Sequence, residues 1–387
     1  MALRLYRVVL GSAAGLLGIS PIIGADVAEA TFAGAQNGNI SFVAICDGVN
    51  IGQAIYSLNP NGNPPPTYTC PGGTPPNYVQ STSGATDSMP YFSSAGSTLY
   101  FSSSRANSGH YAIYQVTYPS TVTGSPGSQT DGANQLTSPG SVNDFSPTVT
   151  ADGSKLAFVR CDTGGATCNL YVQSPISGGT PSLVGTAHSP AVPNSVSGAA
   201  SRPEFNPTNS DEILYVDTSG HVRLVSLSGA FTERDLSLES GIGSSADEYP
   251  DWNPTGTRII FDSNRNGGHK IFIVDRTVNP ATVTQLWASD PGTEIEPLFS
   301  PDGTEYAWTK LGTGSNLQID VGTKVNSPSG VYNLTANRTN NSQPAWQPVP
   351  LGAQLPETSK AFLIPVAGGL TLGLARLLLS RRRRRAR

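Results

Sequence analysis

Asp247-Glu248-Tyr249-Pro250-Asp251-Trp252-Asn253-Pro254-Thr255-Gly256-Thr257-Arg258-Ile259-Ile260-Phe261 is the stretch on which the reading of this chain turns. A proline and an aromatic residue lead into an Asn-Pro-Thr-Gly turn, and an apolar run follows. The unit returns as Glu294-Ile295-Glu296-Pro297-Leu298-Phe299-Ser300-Pro301-Asp302-Gly303, 47 residues on, and as Pro344-Ala345-Trp346-Gln347-Pro348 after another 47. Upstream the same proline stands at Pro203 (Arg202-Pro203-Glu204-Phe205-Asn206-Pro207), Pro147 and Pro90, at spacings of 47, 56 and 57. Six copies at a period of this length fit one four-stranded unit each, which points to the blades of a β-propeller.

The interior of each copy reads as strands. Behind the turn come Leu99/Phe101, Leu156/Phe158, Ile213/Tyr215, Ile259/Phe261 and Tyr306/Trp308. Alternation of β-branched and aromatic residues at period two is the signal of a half-buried strand. A polar hairpin such as Asn264-Arg265-Asn266-Gly267-Gly268 leads to a third strand (Ile113-Tyr114, Leu170-Tyr171, Ile271-Phe272), and a fourth ends near Gln135-Leu136, Gln285-Leu286 or Asn333-Leu334.

With its P-x-[FW]-[SN]-P-x-G turn, Ser-x-Arg hairpin and Ile-Tyr-type strand, the chain resembles the TolB-like β-propeller repeat, a relative of the WD-repeat propellers. The resemblance runs from about residue 35 to 350 and implies an all-β propeller. It implies no particular activity, because one fold hosts many functions.

The ends of the repeat region complement each other. Ile40–Val43, Ala54–Leu58 and Tyr78-Val79-Gln80 match second, third and fourth strands, while Pro344-Ala345-Trp346 is a first strand with nothing after it. Three N-terminal strands plus one C-terminal strand make the sixth blade and remove the open edges. The expected architecture is a six-bladed propeller of four-stranded blades over residues 31–350, a monomer.

Residues 1–30 read as a secretory signal: Arg4 and Arg7, an apolar run from Val8 to Ile23, and Ala28-Glu29-Ala30 as an A-x-A-like cleavage site. A retained N-terminal anchor is the competing reading. Export makes the even count of four cysteines a disulfide signal, with Cys161–Cys168 across one hairpin and Cys46–Cys70 in the ring-closing blade. A zinc site is the rival, although the spacing lacks a C-x-x-C.

Beyond the propeller, a linker over 351–360 contains Leu355-Pro356-Glu357-Thr358-Ser359, followed by an apolar stretch over 361–380 and a basic tail over 381–387. Twenty helical residues span about 30 Å, one hydrocarbon core, and the arginines belong inside. The order of pentapeptide, span and basic tail resembles the cell-wall sorting signal of Gram-positive surface proteins, whose motif is LPXTG. That resemblance implies cleavage and wall attachment by a sortase, although Ser359 replaces the glycine. A simple single-span transmembrane anchor is the alternative, and both put the propeller outside the cell, membrane-attached.

Residues 31–355 carry 24 Asp and Glu against 13 Lys and Arg, a net charge of −11. Nucleic acid is therefore excluded as a ligand class, and a basic partner is favoured. There is no G-x-S-x-G, H-E-x-x-H, phosphate loop or dinucleotide fingerprint, and no cofactor is called for. His110 and His269 each follow a glycine at the start of a third strand and read as polar hairpin residues.

One constellation stands out. Three residues before the six prolines stand Asp87, Asp144, Ala200, Asp247, Glu294 and Asn341. One repeat phase means one height in a closed ring, so these residues are expected around a channel mouth, where clustered carboxylates attract a divalent cation or a basic partner. Turn capping by Asp and Asn is the plainer alternative. The function expected is a surface-anchored, non-enzymatic binding or scaffold module for protein or cell-envelope ligands; the alternative is an exported polysaccharide hydrolase or lyase using channel carboxylates.

Overall fold

The structure, a computed structural model, describes residues 35–44, 53–60, 77–79, 85–107, 110–118, 132–165, 167–184, 201–228, 233–239, 246–278, 281–286, 292–312, 316–323, 330–335 and 340–351. The chain enters through β1 (Ala35–Ala44), β2 (Ala54–Leu58) and β3 (Asn77–Val79). Blade 2 is β4 (Asp87–Phe92), β5 (Thr98–Asn107), β6 (His110–Thr117) and β7 (Asn134–Gln135). Blade 3 is β8 (Asn143–Val149), β9 (Leu156–Cys161), β10 (Cys168–Gln173) and β11 (Ser182–Leu183). Blade 4 is β12 (Glu204–Asn206), β13 (Asn209–Val216), β14 (Val222–Ser226) and β15 (Glu233–Asp235), followed by a one-turn helix α1 (Leu236–Glu239). Blade 5 is β16 (Asp247–Trp252), β17 (Arg258–Ser263), β18 (Lys270–Asp275) and β19 (Thr282–Gln285). Blade 6 is β20 (Thr293–Phe299), β21 (Glu305–Leu311), β22 (Leu317–Thr323) and β23 (Tyr332–Asn333), and the last strand is β24 (Asn341–Pro350).

All six sheets are antiparallel and four-stranded, and blade 1 has the order β24-β1-β2-β3. The expected closure is therefore present: β24 pairs along β1 from Ala35↔Pro350 to Ala44↔Asn341.

Period-two sequences bury both faces of each blade. In β17, Ile259 and Phe261 pack on Leu214 and Val216 of blade 4, while Ile260 packs on Phe299 and Trp308 of blade 6. The same division gives six apolar clusters, each between neighbouring blades, and the cluster joining Ile40 and Phe42 to Leu298 and Ile319 closes the circle from blade 6 to blade 1. Each fully buried Ile, Leu or Phe contributes roughly 1.5–3 kcal/mol, so the ring is held by its inter-blade seams.

The repeated proline lies inside the inner strand in five blades, and in blade 4 Pro203 stands immediately before β12. The pairing skips at this point in blades 2, 3, 5 and 6, between Ser88/Tyr91, Phe145/Thr148, Glu248/Asp251 and Ile295/Leu298. Proline has no N–H to lose from the ladder, which suits it to a bulge. The residue before it takes a left-handed conformation: Met89, Ser146, Tyr249, Glu296 and Gln343 have φ between 50° and 56°. The turn glycine is equally constrained. Gly256 has φ +66°, and a Cβ there would lie 2.3 Å from Asn206 Oδ1 of blade 4.

Cys161 and Cys168 form the expected disulfide across the β9–β10 hairpin. Cys46 and Cys70 lie outside the described residues, as do the signal segment 1–30, the sorting motif Leu355–Ser359 and the apolar stretch 361–380. Among the described residues no helix is long and apolar enough to cross a membrane.

Candidate functional site

The residues expected to ring the mouth do not face solvent. Asp87, Asp144, Asp247, Glu294 and Asn341 are all 0% exposed. Three of them belong to one repeated device. Arg105 Nη2 donates to both Asp87 oxygens at 3.0 Å. Arg160 grips Asp144 through Nε at 2.7 Å and Nη2 at 2.8 Å. Arg265 Nη2 donates to Asp247 at 2.7 Å, and the Ser237 hydroxyl donates to its other oxygen at 2.6 Å. Each guanidinium also lies over a stacked aromatic pair: Phe101/Tyr114, Phe158/Tyr171 and Phe261/Phe272, at 4.5–5.3 Å from the ring centroids. Glu294 stands across the ladder from Lys310, and Asn341 across from Ala44. The open ring of carboxylates is thus corrected to a set of buried side chains, three of them rivets between the inner strand and the arginine hairpin. The reason is pairing, because a buried carboxylate needs a cation and hydrogen bonds, and the arginine supplies both.

The arginine partner was legible. Asp and Arg stand 18, 16 and 18 residues apart in blades 2, 3 and 5, and blade 4, which has Ala200, carries no arginine at that place.

One residue after each proline stand Tyr91, Thr148, Glu204, Asp251, Leu298 and Ala345. Tyr91, Glu204, Asp251, Leu298, Ala345 and Arg202 surround one cavity of about 40 Å³. Contacts there cross the ring. The Tyr91 hydroxyl of blade 2 donates to Glu204 Oε1 of blade 4 at 2.7 Å, and Arg202 Nη2 donates to the Pro344 carbonyl of blade 1 at 3.0 Å. Thr148 Oγ1 reaches the same Glu204 oxygen at 3.5 Å, and Asp251 Oδ2 accepts the Phe299 N–H at 2.8 Å. A step along the axis, Glu296 accepts from the Thr309 hydroxyl and the Gln343 N–H, both at 2.6 Å.

Burial dominates the electrostatics. It pushes the Glu204 carboxyl well above the usual carboxylate range, and Asp251 beside it pushes the same way, against the Tyr91 hydrogen bond and Arg202. Asp251 is raised to about 6 by burial, against the Phe299 N–H and Arg202. Glu296 is raised by burial, opposed by Thr309, Gln343 and Arg202. Arg202 is the cation shared by all three carboxyls. Sequence reasoning missed this set because its members differ from blade to blade and therefore form no motif.

A larger recess of about 720 Å³ opens between blades 4 and 5, bordered by Asn206, Glu212, Leu236, Arg276 and Val278. Arg276 stacks on Trp252 at 5.0 Å and lies 3.8 Å from Glu212.

His110 and His269 are not equivalent. Phe101 pairs with Tyr114 and Phe261 with Phe272, so His269 occupies the place of Tyr111, one residue on and facing the other way.

No family model matches the chain. Over 98 residues it is 36% identical to a protein TolB homolog of Chlorobaculum tepidum, a match covering 24% of this chain and 20% of that protein. Its fold is similar to TolB from Acinetobacter baumannii, with TM-score 0.61 and 15% identity over 80% of this chain and 66% of that one. It is also similar to the hydrazine synthase of Kuenenia stuttgartiensis, with TM-score 0.56 and 13% identity over 87% of this chain and 51% of that one. This chain thus spans one fifth of the curated relative and less than two thirds of either solved structure. Blade order and closure make the chain a six-bladed β-propeller, similar in fold to TolB.

Proposed function

We propose that the propeller is an extracytoplasmic, non-enzymatic binding module for protein or cell-envelope ligands, held at a Gram-positive surface by its C-terminal segment. The observation that carries this reading is the mismatch between chemistry and space on the axis. The carboxyls suited to acid–base work border about 40 Å³, room for roughly two or three waters, whereas small-molecule sites run to about 300–1,000 Å³. A sugar ring does not fit there. The Cys161–Cys168 disulfide supports an oxidising location, and the net charge of −11 over residues 31–355 favours a basic partner.

The test is capture from a cell-envelope extract by the immobilised chain, run beside incubation with polysaccharides. We expect retained basic proteins that leave as salt is raised, and no new reducing ends or unsaturated sugars. Turnover that disappears in Glu204→Gln would overturn this reading and establish the second one, a polysaccharide lyase or hydrolase. That second reading is favoured by the raised Glu204–Asp251 pair beside Tyr91 and Arg202. For the anchor, Thr358→Ala should turn a wall-bound protein into one extracted by detergent. Wild-type protein that itself leaves with detergent alone would replace the sorting signal by a simple span.

A further inference from the structure

Blade 5 departs from its siblings at one place, and the departure is a group of side chains of metal-ligating type. Glu248 on β16, Asp262 on β17 and His269 just before β18 come from three successive strands of one sheet. One ligand atom of each lies within 4.8 Å of the other two. Glu248 and Asp262 are direct partners across the ladder. Like charges placed opposite each other in a sheet destabilise it, and here one of the pair, Asp262, is wholly buried.

The other blades show that the repeat does not require these residues. The same cross-strand pair is Ser88/Ser102 in blade 2, Phe145/Val159 in blade 3, Ile295/Thr309 in blade 6 and Ser342/Val43 in blade 1. The place of His269 is taken in blade 2 by Tyr111, which packs on Phe145 of the next blade at 4.8 Å. Two carboxylates and an imidazole in one blade are therefore additions to the fold.

Their surroundings hold them ready. His269 Nδ1 donates to Asp262 Oδ2 at 2.6 Å, and the Glu296 N–H donates to Asp262 Oδ1 at 3.1 Å. Each carboxylate oxygen keeps a further lone pair. Asp262 is closed in, whereas the His269 side chain is 28% exposed, which leaves a path from solvent. Among the described residues none donates a hydrogen bond to the Glu248 carboxylate.

We propose that Glu248, Asp262 and His269 bind one divalent transition-metal ion of the zinc class. The ion replaces the proton between His269 Nδ1 and Asp262 Oδ2, and Glu248 closes the set. Donors at about 2.0–2.2 Å from a tetrahedral ion stand about 3.3 Å apart, so His269 Nδ1, now 2.6 Å from Asp262 Oδ2, moves out by about 0.7 Å while Glu248 draws in by at most about 1.5 Å, both within reach of these half-buried side chains. The imidazole selects zinc over calcium or magnesium, which prefer oxygen alone. Water completes the coordination.

Calorimetry of the full chain with zinc chloride, and separately with calcium chloride, tests the site. We expect one zinc per chain, bound more tightly than calcium. His269→Gln should abolish the binding, Glu248→Gln should weaken it at least about tenfold, and His110→Gln in blade 2 should leave it unchanged. Glu248→Gln keeps the side chain's size, so it decides the matter should His269→Gln fail to fold. Cobalt loaded in place of zinc should absorb in the visible without a thiolate charge-transfer band. No saturable zinc binding, binding unaltered in Glu248→Gln, tighter binding of calcium, or a thiolate band from the cysteines would each overturn the proposal.

Discussion

Two sets of polar residues recur along the inner strands, four positions apart in each repeat, and they behave in opposite ways. The set three residues before each proline is nearly uniform, with Asp87, Asp144 and Asp247 each gripped by an arginine over two aromatic rings. The set one residue after each proline is different in every blade, and its members Tyr91, Glu204 and Asp251 meet on the axis. Uniformity follows from a need shared by blades 2, 3 and 5, which is to fasten the inner strand to the arginine behind it. Diversity follows from the axis, where six different strands meet at one place and each position has its own neighbours. In a closed repeat protein, therefore, the residue that recurs marks the scaffold and the residue that breaks the repeat marks the site. The blade 5 ligand set obeys the same rule.

The comparison can be broken most completely by opening the ring. Deleting 341–350 removes β24 and leaves β1 and its neighbours with unpaired edges. We expect aggregation or loss of the cooperative transition, read by circular dichroism against temperature. A sharp melt at the wild-type temperature would show that closure is dispensable. Next in size is the rivet. Asp144→Ala leaves the Arg160 guanidinium between Phe158 and Tyr171 without its anion, and breaking a buried pair costs about 3–5 kcal/mol. Arg160 keeps 20% side-chain exposure, so the loss should sit near the lower end. The double change Asp144→Ala with Arg160→Met should recover most of it in urea denaturation. A single-variant loss below about 1 kcal/mol would mean that the set is merely tolerated.

Most of the architecture is legible in the sequence. The proline spacing counted the blades, and the unpaired Pro344-Ala345-Trp346 strand located the closure. The disulfide across the β9–β10 hairpin was legible too, because seven residues of separation suit a tight hairpin. The burial of Asp87 and its relatives was not, since phase specifies height in the ring but not which way a side chain turns. The Ser-x-Arg hairpins point to an arginine partner for Asp87 and Asp247, whereas Arg160, which grips Asp144, follows Phe158-Val159 and carries no such signature. The axial set was illegible for a deeper reason. Tyr91 and Glu204 are 113 residues apart and share no pattern, so only the closed ring brings them together. The one-residue offset between His110 and His269 likewise needed the strand register.

The smallest expected effect concerns the axial set and its response to pH. Glu204 and Asp251 are both raised in the folded state, chiefly by burial, Asp251 to about 6. Unfolded carboxylates titrate near 4. Between those values the folded chain holds more protons than the unfolded one, so this pair lowers stability as pH rises through the window, and the loss is complete above the folded values. Carboxyls lowered by hydrogen bonds, such as Asp152 at about 2 in the β8–β9 turn outside both sets, where Thr150 and Ser154 donate to it, act in the opposite sense, stabilising above the unfolded value and losing that contribution as pH falls through the folded one. The two contributions therefore occupy different pH ranges. Glu204→Gln keeps an acceptor for the Tyr91 hydroxyl and removes one of the two raised carboxyls, while Asp251 stays raised by its own burial. Its melting temperature should exceed that of the wild type at pH 7.5 by roughly 2–3 °C, about 1 kcal/mol in a domain of this size, and converge with it near pH 4.5. Curves displaced equally at both pH values would mean that Glu204 acts through packing, and the axis would then be as structural as the rivets around it.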